Sequence, residues 1–106
     1  MGVETKNAVI THTMIGFQEH YRVLTYSIGL DFGGILQNAG GICLGNEDKP
    51  TLLFAEHFVG ILKALGVGEW EKLPGTPCRA VFDGSGVYKI GHFIKDQWFS
   101  IMELPE

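Results

Sequence analysis

The residues of this chain that carry chemistry crowd toward its C-terminus. The stretch IGHFIKDQWF, residues 90–99, holds a histidine, a Lys95–Asp96 pair and the rings of Phe93, Trp98 and Phe99. Such a stretch is either a core strand running into a turn or one wall of a binding site. Reaction chemistry is harder to assemble. The four histidines, His12, His20, His57 and His92, show no HExxH or HxH spacing, so no metal site is expected. EHFVG sets Glu56 beside His57, yet neighbours on a helix point about 100° apart and do not act as one acid–base tool. Cys43 and Cys78 form no CxxC, and nothing near Cys43 supports a nucleophile paired with His92. Two buried free thiols are expected, with a single disulfide as the alternative. GLDFGG and GSGVYKIG are glycine-rich, but neither is a phosphate loop leading into a helix, and their glycines read as turn residues. No catalytic residue and no cofactor is assigned, and the expected role is binding rather than catalysis.

The elements that must position these residues follow from periodicity. AVITHTMIGF (8–17) is strand-like, with β-branched residues, and QEH (18–20) offers a turn. In YRVLTYSIGLDF (21–32), Leu24, Tyr26, Ile28, Leu30 and Phe32 share one face, so this reads as a strand with one buried side. ILQNAGGICL (35–44) is a third strand, irregular at Gly40 and Gly41, where a bulge or a close backbone approach is the usual reason. GNEDKP (45–50) is a loop that delivers Thr51 as the N-cap of a helix over 52–65. Leu52, Ala55, Val59 and Leu62 form one apolar stripe of that helix, and Phe54, Phe58, Ile61 and Leu65 form the adjacent one. Gly66 ends it. GEWEKL (68–73) adds a helical turn with Trp70 and Leu73 inward.

The last third reads as a hairpin, with CRAVF and VYKIGHFI flanking a DGSG turn. With Phe82 opposite Val87, strict alternation sets Val81 across from Tyr88 and Arg79 across from Ile90. One face then carries Arg79, Val81, Tyr88, Ile90 and His92; the other carries Ala80, Phe82, Lys89, Gly91 and Phe93. A cation, a phenol and an imidazole side by side are poor material for a dry core. They suit a partly solvated pocket for something flat and anionic, with rings stacking on aromatics and phosphates meeting Arg79. The competing reading of His92 is a satisfied structural residue. Trp98 and Phe99 read as a core plug or a contact between subunits. The whole is expected to be one α+β domain over 1–106, a mostly antiparallel sheet of about five strands on one main helix plus a short helical turn.

Composition narrows the partners. Charged residues are 19% against 45% hydrophobic, and the net charge is −4 with Lys and Arg unclustered. No duplex nucleic acid is expected as a partner, since there is no basic field to meet its phosphates. MGVETKNAV has no apolar h-region, and Lys6 stands where a myristoylation motif wants Ser or Thr. The longest apolar run, 52–66, carries Glu56, His57 and Lys63 and is too short to span a bilayer. A cytoplasmic protein with no membrane partner is expected. The two-striped helix and low charge content predict a homodimer or higher homo-oligomer, because one sheet covers only one stripe.

The segment ILKALGVGEWEKLPGTPCRAVFDGSGVYKIGHFIKDQWF resembles a family of small phage and prophage proteins. Their shared pattern is a helix ending in GV, then WE-L-G, an Arg-bearing strand, and IG-(H or N)-x-I-K-(D or E)-x-W-F. IGFQEHYRVLTYSIGLDFGGILQNAGG matches the family's N-terminal half more loosely, and together the likeness covers about residues 14–99. The resemblance extends to Thoeris anti-defence type 1 proteins, phage sponges that bind cyclic ADP-ribose-type signals, and in some members cyclic oligonucleotides, without cleaving them. It implies a cyclic nucleotide small-molecule signal as partner, bound in the host bacterial cytoplasm. It implies Phe82 and His92 as ligand residues, with Arg79 and His57 as phosphate or base contacts; Tyr88 is the further stacking candidate. His92 stands where many relatives carry Asn, and His57 where a basic residue is common. A small viral inhibitor that binds a host protein directly is the alternative function.

Overall fold

The computed structural model describes residues 2–18 and 22–104. Its strands are β1 (Glu4–Gln18), β2 (Val23–Asp31), β3 (Leu36–Gly40), β4 (Pro77–Asp83), β5 (Gly86–His92) and β6 (Trp98–Ser100), with one α-helix, α1 (Leu52–Leu65), and a 3-10 turn at Trp70–Lys72. They make a single antiparallel sheet in the order β3-β2-β1-β4-β5-β6. The α+β class is as expected, with six strands against about five expected. The turn expected at 18–20 lies outside the described residues beyond Gln18. Among the described residues no helix is long and apolar enough to cross a membrane.

β1 is longer than the 8–17 expected from its pattern, and its length shapes the sheet. Residues 4–9 pair with β4, whereas 9–18 pair with β2, and the register shifts between Ile10 and His12. That shift is a bulge, an extra residue at Thr11 that bends the strand. Gly29 lies opposite, where a side chain would collide with the His12 ring. The bend curls the sheet until β3 lies against β5, strands far apart in the sheet order. Phe32 at the end of β2 therefore meets Phe82 of β4, ring centroids 4.4 Å apart.

The alternation expected of β2 holds on its inner face, where Tyr26, Ile28 and Leu30 are all buried. They join Ile10, Leu44, Ala80 and Ile90 in one core. Gly40 and Gly41 both have positive φ, and at Gly40 a Cβ would lie 2.6 Å from the Tyr26 carbonyl oxygen, so the close-approach reading is the correct one. The third strand stops there, well short of residue 44. Its continuation still follows β2, with Leu44 N–H donating to the Leu24 carbonyl and Leu24 N–H to the Gly45 carbonyl.

α1 has the expected bounds and packs on β5 and β6. Gly66 takes φ 70° and closes the helix as the sequence implies. Thr51 sits at the N-cap position, but its hydroxyl donates to the Leu44 carbonyl and caps nothing. The inner stripe is only partly the one expected: Ile61 and Leu65 are buried with Ala64 and His57, while Phe54 and Phe58 are half-buried. Phe58 stacks on Trp70 at 5.6 Å.

The hairpin contains the main correction. Phe82 does pair with Val87, but the register shifts next to it, so Val81 faces Lys89 and Arg79 faces Gly91. Tyr88 is the extra residue of a second bulge. Arg79 and Val81 therefore share a face with Lys89, opposite the face of Ala80, Ile90 and His92.

Gly60 tests how tightly α1 is seated. A Cβ there would overlap the Phe99 ring of β6. Alanine would raise helix propensity by up to about 1 kcal/mol, but forcing a methyl into a packed contact costs about 1–3 kcal/mol. Gly60→Ala is expected to melt several degrees below the parent. A variant that melts above it would show that α1 sits away from β6.

Candidate functional site

The five expected ligand residues do not converge. Arg79 is half-buried; its Nε donates to the His92 carbonyl and its Nη2 to the Lys95 carbonyl, both at 2.8 Å. Its guanidinium lies 4.8 Å from the centroid of the Trp98 ring. His92 points to the other side of the sheet, across from Cys78, and its Nδ1 accepts the backbone N–H groups of Ile94 and Lys95. It caps a turn, as the structural reading of this histidine would have it. Tyr88 donates its hydroxyl to the Asp83 carboxylate, 2.9 Å from each oxygen. The Ser85 N–H, aided by Tyr88, holds that carboxylate below its usual range, and the same bond raises the Tyr88 phenol. The shared face of Arg79, Tyr88 and His92 is thus broken by the one-residue bulge at Tyr88.

Phe82 and His57 are both interior. Phe82 is buried, and part of its ring forms the floor of a cleft of about 310 Å³ with Phe32, Ile35 and Gln37. Glu4, Lys6 and Asp83 also line that cleft, two carboxylates to one ammonium, which disfavours an anionic ligand. His57 is 5% exposed on the inner side of α1, its Nδ1 2.8 Å from the Tyr26 hydroxyl and its ring edge-on to Phe99 at 4.9 Å. It is a core histidine whose Nδ1 is already engaged, and its burial keeps it out of reach of a phosphate.

A different set does come together where α1 meets β6. Gly60, Lys63 and Ala64 of the helix, with Gln97, Trp98 and Phe99, line a cleft of about 320 Å³. Lys63 is the one charged side chain among these. Trp98 crosses over Gly91, where any side chain would strike its ring, and Arg79 stacks on it. Its indole N–H donates to the Asp96 carboxylate at 3.0 Å. The ring is therefore fixed on several sides while remaining half-exposed. Periodicity gave Lys63 no role and read Trp98 as a plug or subunit contact. The usable signals were the glycines: Gly60 in mid-helix and Gly91 in mid-strand both mark an aromatic ring passing close to the backbone.

Among the described residues no group of three His, Cys, Asp or Glu side chains is placed to hold a metal ion, and both cysteines are free, with Cys78 buried and Cys43 exposed. No known family model matches the chain, and no curated protein and no solved structure matches it.

The buried His57 makes stability depend on pH. Burial lowers its pKa below the ordinary 6.5, opposed by nearby Glu56. The unfolded chain then binds a proton that the folded chain resists, so this contribution is whole above about pH 6.5 and is lost as pH falls below it. For one proton the loss is at most about 1.4 kcal/mol per pH unit. Between about pH 7.5 and 5.5 the parent's melting temperature should fall more steeply than that of His57→Gln. Parallel pH profiles for the two proteins would contradict a neutral, buried His57.

Proposed function

We propose that this protein binds and sequesters a small, planar, anionic ligand in the cleft between α1 and β6, without transforming it. The observation that carries this reading is the cleft where Lys63 and Gln97 meet the margin of the half-exposed Trp98 ring, which Arg79 and Gly91 hold on the sheet face opposite Phe99 and α1. Stacking of a base on an aromatic ring contributes about 1–3 kcal/mol and does not depend on which base it is. Lys63 supplies the charge for a phosphate, and Gln97 can both donate to and accept from a base edge. The cleft has room for one ring system, at the small end of ligand sites. Taken with the resemblance to phage anti-defence sponges, the ligand is a cyclic nucleotide immune signal, cyclic ADP-ribose-like or a cyclic oligonucleotide, captured in the host bacterial cytoplasm. Of the residues expected to touch it, Arg79 is kept as the support of Trp98, and His92 as the cap of the turn that carries it.

The alternative, a small viral inhibitor that binds a host protein directly, is supported by the edge strand β3, where Leu36 and the preceding Ile35 are largely exposed. An open, apolar strand edge can take up a strand from another chain.

The two readings separate in one assay. The protein is incubated with a panel of cyclic nucleotides, desalted and heat-denatured, and the released material is identified by mass. Intact nucleotide is expected from the parent. Trp98→Ala should retain about five- to 150-fold less, given the worth of one stacked base. Altered nucleotide would indicate an enzyme, and no retention at all would favour the protein-directed inhibitor. A folded Trp98→Ala that retains as much as the parent would move the site away from this cleft.

A further inference from the structure

α1 carries more apolar surface than the sheet covers. Its inner side is buried, but Leu52, Ala55 and Val59 run down the solvent side, Leu52 being 76% and Val59 49% exposed. Beyond the helix the chain turns at Gly66, and Val67 and Gly68 join Val59 and Leu62 in lining an open apolar groove of about 450 Å³. One end of the stripe thus presents a projecting leucine, and the other end presents a groove.

We propose that this face is a homodimer interface in which α1 packs antiparallel against α1 of a second copy, each Leu52 seating in the other copy's groove. The proposal is independent of the ligand reading. Positions 52, 55, 59, 62 and 66 follow the alternating three- and four-residue steps of a heptad seam, with Leu52, Val59 and Gly66 in one row and Ala55 and Leu62 in the other. In an antiparallel pair the rows of the two copies face each other, so Val59 meets Leu62 and Ala55 meets Gly66. Gly66 has no side chain, which lets the second helix approach. Continuing the same register carries Leu52 past Gly66 to Val67 and Gly68, the floor of the groove. A twofold axis makes both insertions at once, so the contact closes as a dimer.

Charge selects this orientation. Glu56 and Lys63 flank the seam one heptad apart on the same side, and both are exposed. The register that sets Val59 on Leu62 brings Glu56 of each copy to Lys63 of the other. In a parallel pair these two residues would instead face the row of Thr51, Phe58 and Leu65, which offers no charge. A second copy therefore satisfies both the apolar and the charged parts of the face. Lys63 stands between this seam and the Trp98 cleft, and an exposed ion pair is worth about 0–1 kcal/mol, so pairing leaves it available to an anion.

The 14-residue helix gives a seam only about 21 Å long, at the low end for stable interfaces, so dimerisation is expected at about micromolar concentrations. Sedimentation equilibrium of the full chain without nucleotide, from about 1 to 200 μM, reads it directly. The parent should shift from monomer to dimer across that range. Leu52→Asp should be monomeric throughout with an unchanged melting temperature, since Leu52 makes no core contact. Glu56→Lys alone should weaken the dimer several-fold, and Glu56→Lys combined with Lys63→Glu should restore it. A parent that stays monomeric would overturn the proposal and leave the face to a different protein. A dimer indifferent to Leu52→Asp, or a double swap that fails to recover, would overturn it as well. The sedimentation measurement contains no nucleotide, so failure of the nucleotide reading and failure of this one are separately visible.

Discussion

The structure depends on the division of β1 between two partners. Its first half belongs to β4 and its second half to β2, and the extra residue at Thr11 makes the turn between them. A flat sheet of six strands with one helix would leave most of one face in water. The bend folds that face onto itself, so Phe32 reaches Phe82 and Ala39 of β3 enters the same core as Ile90 of β5. α1 then closes the remaining opening over β5 and β6, and Tyr26 reaches across to His57. That buried hydrogen bond ties the helix to the second strand at a point where an unpaired polar group would cost about 1–3 kcal/mol.

Elements set by local periodicity were legible in the sequence. The helix over 52–65, its glycine terminator, the inner face of β2 and the DGSG hairpin all follow from spacing and turn chemistry. Features set by a single residue were not. Nothing in CRAVFDGSGVYKIGH says that Tyr88 adds a residue to its strand, because a regular and a bulged hairpin fit the same residue pattern and the hydroxyl contact with Asp83 exists only once the strands have paired. Because side chains alternate with period two, that slip sends Arg79 to the opposite face from Ile90 and His92. His57 was hidden for a related reason. A histidine on an apolar helix face looks the same whether it waits for a ligand or has already found Tyr26.

The cations show how the candidate site differs from the expected one. Arg79 is held by two backbone carbonyls and Trp98, Arg22 by Glu47, and Lys72 by Glu69. Arg79, the cation that sequence alternation placed at a ligand, instead organises the backbone around a tryptophan. Its five donors suit that task better than a lysine's point charge would, because carbonyls at two separate residues must be bridged by one planar group that also stacks. Among the described residues Lys63 has none of these commitments. It stands on the rigid helix and lines the same cleft as the tryptophan that Arg79 has already positioned, and preorganisation of this kind reduces the ordering cost of binding.

IGHFIKDQWF is thus neither simply a core strand nor simply a wall. Ile90 is in the core, and Gly91 is a glycine because Trp98 must cross it. His92 then ends the strand by accepting two backbone N–H groups, which fixes the turn through Ile94 and Lys95. The Lys95 carbonyl that emerges from this turn is one of the two that hold Arg79, and Arg79 in turn holds Trp98. The chain of contacts runs His92, turn, Arg79, Trp98, with the exposed ring at its end. A histidine on the opposite face of the sheet can therefore set the orientation of a half-exposed indole ring, and the density of chemical groups in this stretch reflects the positioning of a single ring.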